Sequence, residues 1–214
     1  MIISLPDRYC KETPEGKYIR VSNGIMEIHG RWSFEREIID ITWKMKGRNK
    51  CFYCFRETKK EDMTMDHIYP RQFGGISITD NMVPACKFCN TSKSNMNASE
   101  YLIWKTFSQE KRREYLLSRI EEKKEKLKSG IFDIPQEWLS EIEVNSITQS
   151  TSAETSKLYN RLYAFAKENN TLSCPIIVSK NLYLLGGNTA LKVAQNLNFK
   201  TVLAVIIENV VVVT

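Results

Sequence analysis

Two Cys-x-x-Cys pairs, Cys51 with Cys54 and Cys86 with Cys89, bracket the densest polar chemistry of this 214-residue chain. Pairs this tight aim their thiols at common points. Zinc prefers thiolate and imidazole ligands in a tetrahedron, and a closed set of thiolates has no open position, so such a site is structural. In a reducing compartment this reading is preferred to disulfides. Cys10 and Cys174 stand alone. Between the pairs lies Asp66-His67, which holds one of the 2 histidines of the chain. An aspartate offers oxygen to a hard divalent cation, and a neutral histidine takes a proton from water. On a regular strand adjacent side chains point to opposite faces, so their convergence needs a turn or a distortion. Gly74-Gly75, Asn81, Asn90 and Lys93 complete the set. Singly each has a plain explanation, Asn81 as a turn residue, Asn90 as a helix cap and His67 as a structural histidine. Their order between residues 51 and 93 is what points to a hydrolytic centre.

The string CFYC…DHIYPRQFGGISITDNMVPACKFCNTSK resembles the zinc-bearing branch of the HNH endonuclease family, over roughly residues 43 to 95. The resemblance implies a ββα-metal fold, a β-hairpin packed on a helix around one metal ion. It implies a role for each matching position: Asp66 a metal-binding acid, His67 the general base, Asn81 the residue that holds the histidine loop, and Asn90 the second metal ligand. Lys93 matches a basic position that contacts phosphate or supports the helix. Many members carry His where this chain has Asn90, and Asn keeps an oxygen ligand. The implied function is a metal-dependent DNA endonuclease that hydrolyses phosphodiester bonds. Structural Zn²⁺ would sit on Cys51, Cys54, Cys86 and Cys89, and catalytic Mg²⁺ or Mn²⁺ on Asp66 and Asn90. DNA contacts are expected from Arg48, Lys50, Arg71, Lys87 and Lys93. A single-metal site cuts one strand at a time, so a double-strand break would need a homodimer or two successive events.

Several elements must position these residues. Residues 1–30 alternate weakly between turn signals and read as short strands or irregular structure. Residues 33–46 read as a helix, with Ser33 as N-cap, an apolar face of Phe34, Ile38, Ile41 and Met45, and a stop at Gly47. After the second cysteine pair comes a helical stretch broken near Phe107-Ser108. Its second part ends at Gly130, carries a narrow stripe of Leu116, Ile120 and Leu127, and reads as a solvated helix with pairs such as Glu122 and Lys126. Residues 145–156 are rich in small polar residues and read as a linker or loop. Beyond them the pattern is a helix (154–169), strands at 175–179 and 182–185, a Gly186-Gly187 turn, a helix (189–197) and a strand (201–207). The closing valine run reads as an edge strand, or as one that pairs with a second copy through Val202–Val213.

The pattern of residues 174–207 resembles the ParB/sulfiredoxin-like fold. Backbone N–H groups of Gly187, Asn188 and Thr189 at the helix start offer a place for a phosphate, and the unit reads equally as a phosphate- or DNA-positioning module or as a purely structural one. The chain departs from that family at Ala190, where Arg is usual, and it has no cysteine in the turn, which puts nucleotide hydrolysis and sulfur chemistry in doubt. The expected fold class is α+β. It comprises N-terminal strands (1–32), the nuclease core with its zinc site and a charged helical region (33–130), a linker (131–153) and a small α/β unit (154–214). A net charge of +6 suits a nucleic-acid partner. With no long apolar run and no basic-then-apolar start, the expectation is a cytoplasmic protein with no membrane partner. Two other functions fit the same residues. One is a catalytically silent zinc module that binds DNA as an adaptor. The other is a nuclease regulated by a nucleotide on the C-terminal unit. The sequence does not choose among restriction, homing, phage packaging and defence.

Overall fold

The computed structural model describes residues 1–30, 32–149 and 157–213. The class is α+β, with three sheets among the described residues. The first is a meander of β1 (Arg8–Glu12), β2 (Tyr18–Ser22) and β3 (Ile25–His29), extended by β10 (Val210–Val213), which runs parallel to β3. Strand alternation puts Ile19, Val21, Met26, Ile28, Val210 and Val212 on one buried face, where they pack with Phe34, Ile38 and Ile41 of helix α1 (Phe34–Lys46). Ser33 stands at the N-cap of α1 without a side-chain cap bond. Met45, expected on the apolar face, is 38% exposed. The buried charge is Glu37 instead, which accepts from Tyr9 and from Lys11.

The second sheet is the hairpin of β4 (Met63–His67) and β5 (Met82–Cys86), followed directly by α2 (Lys87–Lys93) and then α3 (Ala98–Trp104). A strand pair followed by a helix is the ββα arrangement that the sequence led us to expect. Helix α4 (Gln109–Lys128) follows. It carries the expected Glu122–Lys126 pair, yet it is docked by charge as well. Lys123 is buried between Glu100 and Asp133, and Arg119 also reaches Glu100.

The third sheet has the order β6-β9-β7-β8, from Ser140–Glu143, Thr201–Ile207, Ile176–Ser179 and Leu184–Gly186. Helices α5 (Lys157–Asn169) and α6 (Asn188–Asn196) pack on it. Residues 131–149, expected within a linker, include β6, and Phe132 and Ile134 are buried against Phe73 and Leu127. The rest of the expected linker and the first residues of the expected helix, 150–156, lie outside the described residues.

Strand β9 ties the parts together. Val205 and Ile207 enter the core of the first sheet, while Val202 and Ala204 enter that of the third. The chain start is bound to the same place: Met1 bonds to Ile206 and Glu208, and Asn209 bonds to Ile3 and Gly24. The outer side of β10 is covered by Lys180 and Asn181, which hydrogen-bond Val210 and Val212. The expected pairing of Val202–Val213 with a second copy is therefore corrected. β10 is closed on one side by β3 and on the other by residues 180–181. No described helix is long and apolar enough to cross a membrane.

Candidate active site

The hairpin is held by chemistry more than by size. Cys51 and Cys54 sit in the loop before β4, Cys86 ends β5, and Cys89 lies in the first turn of α2. Their four sulfurs lie within 4.8 Å of one another. Tetrahedral zinc at about 2.3 Å from each sulfur needs sulfurs about 3.8 Å apart, so the set fits the ion. The backbone prepares the fit: Cys51 accepts from Phe55 N–H, and Cys86 Sγ accepts from Cys89 N–H. Burial pushes the Cys89 thiol up to about 12, so binding a cation here must displace protons. Among the described residues this is the one group of three or more His, Cys, Asp or Glu placed to hold a metal.

Strand β4 remains regular through its last residues, with Asp66 opposite Val83 and His67 opposite Met82. Alternation sends the two side chains out from opposite sides of the strand, yet His67 is its last residue and still feels the charge of Lys93, the partner of Asp66. On the α2 side, Thr64 and Asp66 of β4 meet Asn90 and Lys93, one turn apart on the helix. Asn90 Nδ2 donates to Thr64 Oγ1 at 2.9 Å, and Lys93 Nζ lies 3.2 Å from Asp66 Oδ2. Tyr53 donates to the same carboxylate at 2.5 Å, and its own hydroxyl is pushed upward by burial and then by Asp66. The Asp66–Lys93 pair is almost fully buried, at 8% and 1% exposure. Lys93 was expected to contact DNA phosphate. Instead it is an internal counter-ion, and its pKa is lowered by burial against the opposing pull of Asp66. A divalent ion on Asp66 and Asn90 fits by donor type, a carboxylate beside an amide whose Oδ1 is left open. In this structure the ammonium of Lys93 already balances that carboxylate.

The other face carries His67. Its Nε2 is 2.9 Å from Ser77 Oγ, and Ser77 donates to Glu35 Oε1 at 2.9 Å. A hydroxyl has one proton to give, so toward His67 Ser77 accepts. Nε2 then carries the hydrogen and Nδ1 keeps its lone pair. Arg71 closes the chain on Glu35 at 2.6 Å. Burial first, then Arg71 and Lys93, depress the imidazole pKa to about 4 against the pull of Glu35. His67 is therefore neutral near pH 7, the state a base requires. Glu35 and Ser77 were missed at the sequence level. Glu35 lies in the first turn of α1 and Ser77 in the loop before Asn81, and neither carries a local signal.

Asn81 is fully buried and clamps the loop between the two strands. Its Oδ1 accepts from Tyr69 N–H, and its Nδ2 donates to Tyr69 O and Ile76 O. The same loop returns so closely that a Cβ on Gly75 would stand 1.8 Å from Tyr69 O. Only glycine fits there.

The remaining expected positions are dispersed. Arg48 stacks on Trp43, Lys50 is exposed, and Lys87 is exposed near Asp62. Gly187 adopts a left-handed φ of 91° at the N-cap of α6. With Asn188 and Thr189 it lines a cleft of about 1330 Å³, whose other wall carries Glu35, Arg71 and Ser77. The back of the His67 network thus opens on this cleft.

No curated protein matches the chain. A solved Pnob8-like ParB-N domain is similar at 19% identity over 32% of this chain, with a TM-score of 0.29. The match spans 28% of that domain's chain. Residues 51–101, which hold the cysteine cluster, Asp66, His67, Asn81, Asn90 and Lys93, match the HNH endonuclease family.

Proposed function

We propose that this protein is a nuclease that hydrolyses phosphodiester bonds in DNA. The carrying observation is that the HNH match falls on a hairpin and helix whose histidine is held neutral and oriented. In this reading His67 takes a proton from the attacking water at Nδ1, while Ser77 and Glu35 hold its ring through Nε2. Asn81 keeps the loop after His67 in place. Asp66 and Asn90 would hold one Mg²⁺ or Mn²⁺, and the ion would offset the negative charge that develops at the scissile phosphate and leaving oxygen. Lys93 supplies the counter-charge to Asp66 and must yield part of that contact for the carboxylate to serve an ion. Arg48, Lys50, Arg71 and Lys87 are the proposed phosphate contacts. A zinc ion on the cysteines holds the hairpin together.

The closed Asp66–Lys93 pair favours a second reading, a zinc module that binds DNA without cutting it. Supercoiled plasmid nicking with added Mg²⁺ separates the two. The nuclease reading expects Mg²⁺-dependent nicked circles, and the adaptor reading expects a mobility shift with no nicks.

A further inference from the structure

The metal-binding hairpin carries an exposed aromatic surface that neither its folding nor the proposed chemistry uses. All 9 phenylalanines of the chain are among the described residues, and those classed as exposed are Phe52, Phe55 and Phe88, at 42%, 68% and 69%. Each is the chain neighbour of a clustered cysteine, Phe52 beside Cys51, Phe55 beside Cys54 and Phe88 beside Cys89. Neighbouring Cα atoms are about 3.8 Å apart, and the sulfurs lie within 4.8 Å of one another. The backbones of the three phenylalanines are therefore grouped around the cysteine site.

Phe52 rests edge-on against the buried Tyr53, whereas Phe55 and Phe88 leave most of their surface in water. The core beneath is filled by Tyr53, Met63, Val83, Met96 and Tyr101. A ring left in water forgoes the stabilisation that burial would give it. Phe55 also has a φ of 59°. For a bulky side chain that left-handed conformation is an outlier, and glycine or asparagine would hold it at lower cost. Backbone strain of this kind concentrates at functional positions.

The surroundings select the partner. Lys50, Arg56, Lys59, Lys60 and Lys87, all exposed and close to the phenylalanines in the chain, outnumber the acidic Glu57, Glu61 and Asp62, of which Asp62 is paired with Lys87. Aromatic rings among basic side chains suit nucleic acid, where cations track the phosphates and rings stack on bases. Inside a duplex the base faces are covered, so such rings meet them only where the stack is open.

We propose that Phe52, Phe55 and Phe88 form a stacking platform for unpaired bases, so that the protein prefers DNA with a locally single-stranded segment. This rests on the nuclease reading and narrows its substrate. The test uses the zinc-loaded full chain without added Mg²⁺. The probes are a duplex with an unpaired bulge carrying 2-aminopurine and the same duplex fully paired. The parent should bind the bulged duplex more tightly and change the probe's fluorescence. Phe55→Leu with Phe88→Leu keeps the apolar surface but removes the rings. It should weaken bulge binding by roughly five- to hundredfold per lost stack, while zinc content, paired-duplex binding and salt slope stay at parent values. Phe55→Trp should keep the preference. Equal binding of the two duplexes by the parent overturns the platform, as does a leucine variant that binds like the parent. A parent dimer that the leucine variant dissociates would assign the patch to a second copy and also overturn it. Plasmid nicking is read alongside. A parent that nicks DNA but shows no bulge preference sinks the platform alone. One that neither nicks nor binds DNA sinks the nuclease reading with it.

Discussion

The hairpin at residues 51–101 and the twin-sheet body are stabilised by different means. The body buries aliphatic side chains from strands far apart in sequence, with Val210 and Val212 of β10 against Met26 and Ile28 of β3. The hairpin has a small core built around its own cysteines, and its charged and polar groups are buried with partners: Asp66 with Lys93 and Tyr53, Asn81 with its loop, Glu100 with Lys123. Apolar burial is non-directional and tolerates rearrangement, whereas cysteine and polar clamps fix atoms at defined distances. The body acts as support, and the hairpin fixes the geometry that chemistry would need.

Removing part of the body should have the largest effect. A chain ending near Ser146 retains every residue of the HNH motif, so the sequence alone suggests that it keeps zinc and nicks DNA. The structure revises that expectation, because the truncation deletes Val205, Ile207, Val210 and Val212 from the core that α1 packs on. We expect no cooperative melt by circular dichroism. A folded, zinc-loaded fragment would show that the hairpin is independent of the body.

Cys89→Ser should come next and act locally. Zinc affinity is folding energy for such a segment, about 10–16 kcal/mol in isolated finger peptides. The variant should lose zinc and amide-exchange protection in residues 51–101 while the body keeps its protection. Uniform loss across the chain would contradict the division drawn here.

Lys93→Ala should be smaller. Breaking a buried pair leaves an uncompensated charge and costs about 3–5 kcal/mol. Because Asp66 would then need another cation, added Mg²⁺ should raise the melting temperature of the variant more than that of the parent. Equal Mg²⁺ responses would argue against an ion at Asp66.

The smallest effect concerns pH. The His67 pKa is depressed in the fold from its ordinary 6.5 to about 4. The unfolded chain therefore binds the proton more readily between those values. The stability from burying neutral His67 is full above about pH 6.5 and is lost as pH falls towards 4. Melting temperatures of the parent should drop across that window more than those of His67→Gln. Parallel curves would contradict the depressed value.

The sequence revealed what depends on local spacing. Cysteine pairs at i and i+3, helix periodicity and the glycine at residue 75 report nearby geometry, so the four-cysteine cluster, the hairpin and most helices could be read. It hid what depends on contacts distant in the chain. Lys93 has the same letter whether it faces DNA or a buried aspartate, and Lys123 looks like a surface charge until Glu100 and Asp133 close on it. Glu35 stands 42 residues before Ser77, and no local pattern links them. Strand β6 was concealed by its polar, exposed side chains, since backbone pairing with β9 holds it in place.

The central claim is that His67 is the proton acceptor of a nuclease whose hairpin is otherwise intact. Nicking of supercoiled plasmid by zinc-loaded parent and His67→Ala, with Mg²⁺ and with DNA binding measured in parallel, tests it most directly. The variant should bind DNA like the parent and nick about 10²–10⁴-fold more slowly, the usual contribution of a positioned base. A variant that nicks at the parent rate, or a well-folded parent that does not nick at all, would contradict it.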